Sequence, residues 1–222
     1  MAEESKLRED LCKIGKRLYD RHLTCGAGGS VSVRTAEKEV LIKPSGFSLG
    51  DLLPEHVVKV NLKGKVLRGE HRPSTDTPWH LVIYESRPEV RAIVHAHPPT
   101  CGGFACAGVS LDIPTFTEVT IQVGKIPLME YATPTTMEYA RLVADSMMNT
   151  DALLMKNHGT ITVGANLEQA FQRTELLEDF AKLVLVAKLL GGPKELPPEE
   201  AHKLRTLESE KWRMKLAEEL YK

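Results

Sequence analysis

The sequence predicts an α/β protein of three layers, with helices on both faces of a central, mainly antiparallel sheet (α/β/α). Short strand-like runs follow one another across turns too tight for crossover helices, which argues for antiparallel pairing. Longer segments with helical apolar periodicity stand before, between and after those runs. A hydrophobic content of 42% over 222 residues supplies enough apolar mass for one domain, taken here as residues 1–222.

The elements follow in order. Leu7, Leu11, Ile14 and Leu18 recur at helical spacing and form one apolar stripe of a helix over residues 4–21. Cys25-Gly-Ala-Gly-Gly-Ser30 breaks that helix, and residues 31–34 alternate like a strand. A second strand at 39–42 ends at Pro44-Ser-Gly46, and residues 57–60 and 64–66 read as another pair around a turn. Pro73-Ser-Thr-Asp76 resembles a helix start, with Pro78 tolerated in the first turn and Leu81, Val82 and Tyr84 following. Residues 92–97 form a strand closed by Pro98 and Pro99. A helix over 135–147 begins just after Pro134, and strands at 152–155 and 160–163 flank the turn Lys156-Asn-His-Gly159. Residues 167–190 hold neither Pro nor Gly and predict a long helix, stopped by Gly191-Gly-Pro193. One last charged helix is expected over 197–220.

Charge excludes several classes of function. Lys and Arg total 29 against 30 Asp and Glu, a net charge of −1, so no broad field exists for nucleic acid or an anionic membrane. Cys12, Cys25, Cys101 and Cys106 show no CxxC spacing and read as reduced thiols of an intracellular protein. Residues 1–10 are charged and carry no apolar stretch of a signal peptide, and no run approaches the roughly 18 apolar residues of a membrane span. A cytoplasmic protein is expected.

Chemistry concentrates on the histidines. His95 and His97 lie two apart on a strand and so point to the same face. An HxH pair alone is as compatible with packing as with a metal. His158 sits in a tight turn between two apolar strands, where a sheet end can bring it to the first pair. Three neutral imidazoles leave one position open for substrate, as in catalytic zinc sites. His80 lies one helical turn beyond Asp76 and could support the site, cap the helix or simply pack. The small-residue clusters Gly26-Ala-Gly-Gly-Ser30, Pro44-Ser-Gly46 and Pro73-Ser-Thr75 offer backbone N–H groups and hydroxyls suited to a phosphate, or are ordinary turns and caps. Neither GxGxxG nor a GK[ST] phosphate loop is present.

Five motifs in one order, Gly29-Ser-Val-Ser-Val-Arg34, Lys43-Pro-Ser-Gly46, Pro73-Ser-Thr-Asp-Thr-Pro-Trp-His80, Val94-His-Ala-His-Pro98 and Lys156-Asn-His-Gly159, resemble the class II aldolase/adducin-type family over nearly the whole chain. That family holds sugar-phosphate aldolases, 4-epimerases, dehydratases and non-catalytic adducin-like modules. The resemblance implies Zn²⁺ on His95, His97 and His158, and a substrate phosphate on Gly29, Ser30, Ser45, Gly46, Ser74 and Thr75. It further implies Asp76 as acid/base beside the metal, a place that leaves open a fourth metal ligand or a plain helix cap, and Glu118 as a second acid/base reaching a neighbouring subunit's site in a homotetramer. Apart from the resemblance, Glu118 reads as an exposed strand carboxylate. Ser30 departs from the family's common Asn, and Asp76 from the Glu of its aldolases. Tyr221 is the only candidate for the family's C-terminal Tyr. The implied reaction is zinc-dependent cleavage of a ketose 1-phosphate, like L-fuculose 1-phosphate, to dihydroxyacetone phosphate and a short aldehyde. An epimerase or dehydratase is the alternative.

Overall fold

The computed structural model describes residues 2–36 and 38–220; Tyr221 lies outside them. In chain order the elements are α1 Ala2–Asp20, β1 Ser30–Ala36, β2 Glu39–Ile42, β3 Val58–Asn61, β4 Val66–Arg68, α2 Thr77–Ser86, β5 Ala92–Ala96 and α3 Pro99–Ala107. They continue with α4 Thr117–Gln122, β6 Leu128–Met129, α5 Met137–Ser146, β7 Ala152–Met155, β8 Gly159–Gly164, α6 Leu167–Leu189, α7 Pro198–Thr206 and α8 Glu208–Leu220. The strands form one eight-stranded sheet in the order β4-β3-β2-β1-β5-β8-β7-β6. Every pairing is antiparallel except β6 with β7.

Helices cover both faces, as the sequence predicts. On one face α2 and α5 pack Trp79, Ile83, Tyr139 and Val143 against Val40, Ile42, Ile93 and Ile161 of the sheet. On the other, Leu11, Ile14 and Leu18 of α1 and Phe171 of α6 cover Val31, Val33, Leu41 and Val94. A third cluster seats α3, α4 and the middle of α6 over Ala152 and Leu154 of β7. Every residue of β5 and β8 is buried, as expected of central strands covered on both faces. Alternation along β5 gives Ile93 and His95 the α2/α5 face.

Departures from the sequence reading are local. The expected helix over 197–220 is two helices, because Leu207 adopts an extended conformation at φ −58°, ψ 125°; no Gly or Pro marks the break. The strand expected at 64–66 starts only at Val66, since Gly64 turns the chain at φ +77°. Helices α3 and α4 and the two-residue β6 were not anticipated. α3 hides behind two glycines, and α4 and β6 are too short to show a period.

Candidate active site

The end of β5 and the β7–β8 turn meet on the face covered by α2 and α5. His95 and Ile161 are sheet partners, and Ala96 pairs with Thr160, which places the turn carrying His158 beside the outgoing strand. Asn157 tolerates the left-handed φ of +57° that the turn needs. One nitrogen from each of His95, His97 and His158 lies within 4.8 Å of the others. Glycines make the convergence possible. A Cβ on Gly28 would sit 2.8 Å from His97 Nδ1, and one on Gly159 would sit 2.4 Å from the Ala96 carbonyl and 2.6 Å from the His97 ring.

Hydrogen bonds at the back of the rings fix which nitrogen faces the centre. His95 Nδ1–H donates to the Thr160 carbonyl at 2.9 Å, leaving Nε2 as a lone pair. Tyr139 donates its single proton to Met155 Sδ at 3.1 Å, so its oxygen accepts from His158 Nδ1–H at 2.8 Å. His95 Nε2 and His97 Nε2 lie 3.1 Å apart. Two nitrogens about 2.0–2.1 Å from one tetrahedral ion stand about 3.3 Å apart. The donor set therefore fits a zinc-like cation. Burial pushes His95 down to about 3 and lowers His97 and His158 as well, so all three are neutral near pH 7, the form that ligates metal.

Asp76 stands at the start of α2 but does not cap it; no side-chain cap bond is made there. Its Oδ2 instead accepts from the Ser30 hydroxyl at 2.8 Å and from Ser74 at 3.4 Å. Burial works to raise this carboxyl, but His95, His80, the Ser30 hydroxyl and His158 together hold it below the usual carboxylate range. His80 contacts Asp76 only by way of the Ser30 hydroxyl. The ring is fully buried, stacks on Trp79 at 4.0 Å and bonds Ser30.

The small-residue turns divide in two. Ser30 and Gly29, which the resemblance places at the substrate phosphate, are buried in the chain. The Ser30 hydroxyl is committed to Asp76 and His80, while the Gly29 carbonyl accepts from Lys43 Nζ at 2.9 Å. Lys43 also donates to the Ala27 carbonyl at 2.6 Å, and burial brings its ammonium down to about 8. The other two turns are laced together: Ser45 N–H donates to the Arg72 carbonyl at 2.9 Å and Ser74 N–H to the Lys43 carbonyl at 3.0 Å. Among the described residues the amides of Gly46 and Thr75 and the hydroxyls of Ser45 and Thr75 have no protein partner. Gly46 turns at φ +81° with open space beyond it. These groups form an anion-accepting rim next to Asp76.

Glu118 lies on α4, not on a strand. It accepts from Gln122 and, at 3.0 Å, from Arg213 of α8, so within one chain its partners are not the histidines. Sequence reasoning missed Ser32, Tyr84, Tyr139 and Glu178. Ser30 and Ser32 share a strand face, and His80 and Tyr84 stand four apart on a buried helix; that matched polar spacing was the available sign. Glu178, an acid within the buried face of α6, is 3% exposed and accepts from the Thr100 and Cys101 amides, holding the start of α3 just after His97.

Three convergent neutral imidazoles that could hold a metal ion, a carboxylate held ionised and a rim of unpaired amides thus lie together at one end of the sheet. The Class II Aldolase and Adducin N-terminal domain family matches residues 9–185, and the chain belongs to that family. An L-fuculose phosphate aldolase of Methanococcus vannielii is 37% identical over 79% of this chain and 93% of its own length. A 5-deoxy-D-ribulose 1-phosphate aldolase of Bacillus thuringiensis is 33% identical over 90% of this chain and 93% of its own. A 3-oxo-tetronate 4-phosphate decarboxylase of Haemophilus influenzae is 34% identical over 79% and 85%. Among solved structures, an L-fuculose 1-phosphate aldolase superposes with a TM-score of 0.86 at 33% identity, covering 90% of this chain and 95% of its own.

Proposed function

We propose that the protein is a zinc-dependent lyase that breaks the bond between the carbons α and β to the carbonyl of a short phosphorylated ketose (C3–C4 of a ketose 1-phosphate), releasing dihydroxyacetone phosphate. The convergence of the three imidazoles beside Asp76 and the laced turns carries this reading. The activities in the relatives' names share one chemical core. Retro-aldol cleavage of L-fuculose 1-phosphate or 5-deoxy-D-ribulose 1-phosphate, and decarboxylation of 3-oxo-tetronate 4-phosphate, each leave the enediolate of dihydroxyacetone phosphate.

His95, His97 and His158 would hold the cation, which when bound supplies Lewis-acid polarisation of the substrate carbonyl. The phosphate sits against the Gly46 and Thr75 amides and the Ser45 and Thr75 hydroxyls. Asp76, ionised near neutral pH, carries the proton exchanged at the hydroxymethyl carbon of the product. In the aldolase form of the reaction Glu118 serves the aldehyde oxygen at a neighbouring subunit's site in a homotetramer. No electron sink is asked of Lys43, whose amine is already committed to two carbonyls.

Incubating the zinc-loaded protein with L-fuculose 1-phosphate, 5-deoxy-D-ribulose 1-phosphate and 3-oxo-tetronate 4-phosphate tests the reading through release of dihydroxyacetone phosphate. Aldehyde or carbon dioxide as co-product tells cleavage from decarboxylation. Conversion of L-ribulose 5-phosphate to xylulose 5-phosphate without fragments, and no activity on the three, would replace it with an epimerase. For Glu118, mixed Glu118→Gln and His95→Ala subunits should regain activity after exchange.

A further inference from the structure

Behind Asp76 runs a line of buried polar groups with no role in the chemistry so far. Ser30 Oγ lies 2.8 Å from Asp76 Oδ2 and 2.8 Å from His80 Nε2. His80 Nδ1 lies 2.7 Å from Ser32 Oγ, and Ser32 Oγ lies 2.9 Å from the Tyr84 hydroxyl. His80, Ser30 and Ser32 are fully buried and Tyr84 is 1% exposed.

Counting protons gives the whole line one direction. An ionised Asp76 can only accept, so Ser30 donates to it. Having spent its one proton, Ser30 must accept from His80, which requires the proton of that ring to be on Nε2. Nδ1 is then a lone pair and takes the Ser32 proton, and Ser32 in turn accepts from Tyr84. Burial pushes His80 down to about 4, consistent with a neutral ring carrying one proton. No donor or acceptor in the line is left over, and reversing any one link would orphan a buried group, which is expensive.

We propose that His80 is a positioning residue for Asp76: held in its Nε2–H tautomer by Ser32 and Tyr84, it obliges the Ser30 hydroxyl to donate to Asp76 Oδ2. Asp76 Oδ1, which has no partner among the described residues, is thereby kept for the reacting carbon. The β1 serines and the α2 His/Tyr pair thus aim the carboxylate from outside the substrate site. This inference rests on the acid/base role given to Asp76 above.

The test uses the zinc-loaded full chain with dihydroxyacetone phosphate in D₂O, following deuterium entry at the hydroxymethyl carbon, and needs no knowledge of the second product. Asp76→Asn should slow exchange by about two to four decades, the usual contribution of a placed acid/base. Ser30→Ala should slow it about tenfold to a hundredfold, the usual effect of losing a partner that orients a functional side chain. That loss should fall on the rate at saturation, leaving KM for dihydroxyacetone phosphate unchanged, and Ser30→Thr should recover it. Ser32→Ala, which touches neither Asp76 nor substrate, should slow exchange in the same way. Neither alanine change should add to the defect of Asp76→Asn, because the aim of a lost carboxylate no longer matters. Nitrogen NMR of ¹⁵N-histidine protein should show His80 protonated on Nε2 alone, a readout independent of activity and of any folding loss in the variants. A His80 proton on Nδ1, or equal slowing by Ser30→Ala with and without Asp76→Asn, overturns the proposal alone. A normal exchange rate in Asp76→Asn overturns the role of Asp76 itself.

Discussion

Gly159→Ala presses on the site through one atom whose neighbours are known. The added methyl would lie 2.4 Å from the Ala96 carbonyl oxygen and 2.6 Å from the His97 ring, and at least 0.6 Å must open to reach 3.0 Å, the closest approach real Cβ atoms make. The carbonyl belongs to β5 where it pairs with β8, so the strands cannot part there without straining the ladder. Overpacking of this kind destabilises by about 1–3 kcal/mol. Reduced freedom of the unfolded chain returns about 0.4–1 kcal/mol. The net loss of about 1–2 kcal/mol lowers Tm by roughly 2–8 °C for a chain of this size. Metal binding should suffer more than folding, since ligand distances hold to within about 0.2 Å. Zinc affinity, measured by competition with a chromophoric chelator, should drop about tenfold or more. Gly102→Ala is the control, because nothing lies within 4 Å of its Cβ; inside α3 it should stabilise by about 0.5–1 kcal/mol. A Gly159→Ala protein with unchanged Tm and zinc affinity would refute the idea that this glycine makes room for the histidines.

Tyr139→Phe removes the oxygen that accepts from His158 Nδ1–H, and zinc affinity in the chelator assay should fall about tenfold to a hundredfold with the fold intact; an unchanged affinity denies Tyr139 its orienting part. Glu178→Gln leaves a single acceptor oxygen for the Thr100 and Cys101 amides and should cost about 1–3 kcal/mol, seen as a lower denaturant midpoint; equal midpoints would count against the anchor. Acid should weaken the metal-free fold in a definite window. His80 is held neutral in the folded chain down to about 4, whereas in the unfolded chain it takes a proton near 6.5. The unfolded state therefore binds more protons between those values, and stability falls as pH drops from about 6.5 to 4, by about 3 kcal/mol for this ring. Denaturant midpoints that stay level across that range would contradict it.

Much of this architecture was open to inspection in the residues themselves. The α1 stripe, the β2 and β7 strands and the long α6 follow from periodicity and from Gly and Pro placement, because long amphipathic or fully buried runs leave a clear period. The HxH pair announced itself through strand alternation, and His158 through its turn. What stayed hidden depends on three-dimensional partners. Ser30 looked like a turn hydroxyl because no rule of spacing reveals that α2 will set His80 behind it. Leu207 breaks the last helix with no breaker residue, and Glu178 finds its amides 77 and 78 residues away.

The two laced turns make the anion rim and Asp76 parts of one stiff piece of backbone. Ser45 and Ser74 tie segment to segment by main-chain bonds, which fix the interval between the Gly46 and Thr75 amides and the backbone of Asp76. For the function proposed above, such a site would work as a gauge: it would count the bonds from phosphorus to the reacting carbon and accept molecules whose count matches. Whatever lies beyond that carbon goes unmeasured by the gauge. On that reading one scaffold would keep the dihydroxyacetone phosphate half constant while the leaving fragment varied from an aldehyde to carbon dioxide, and selectivity for that fragment would be built by other residues.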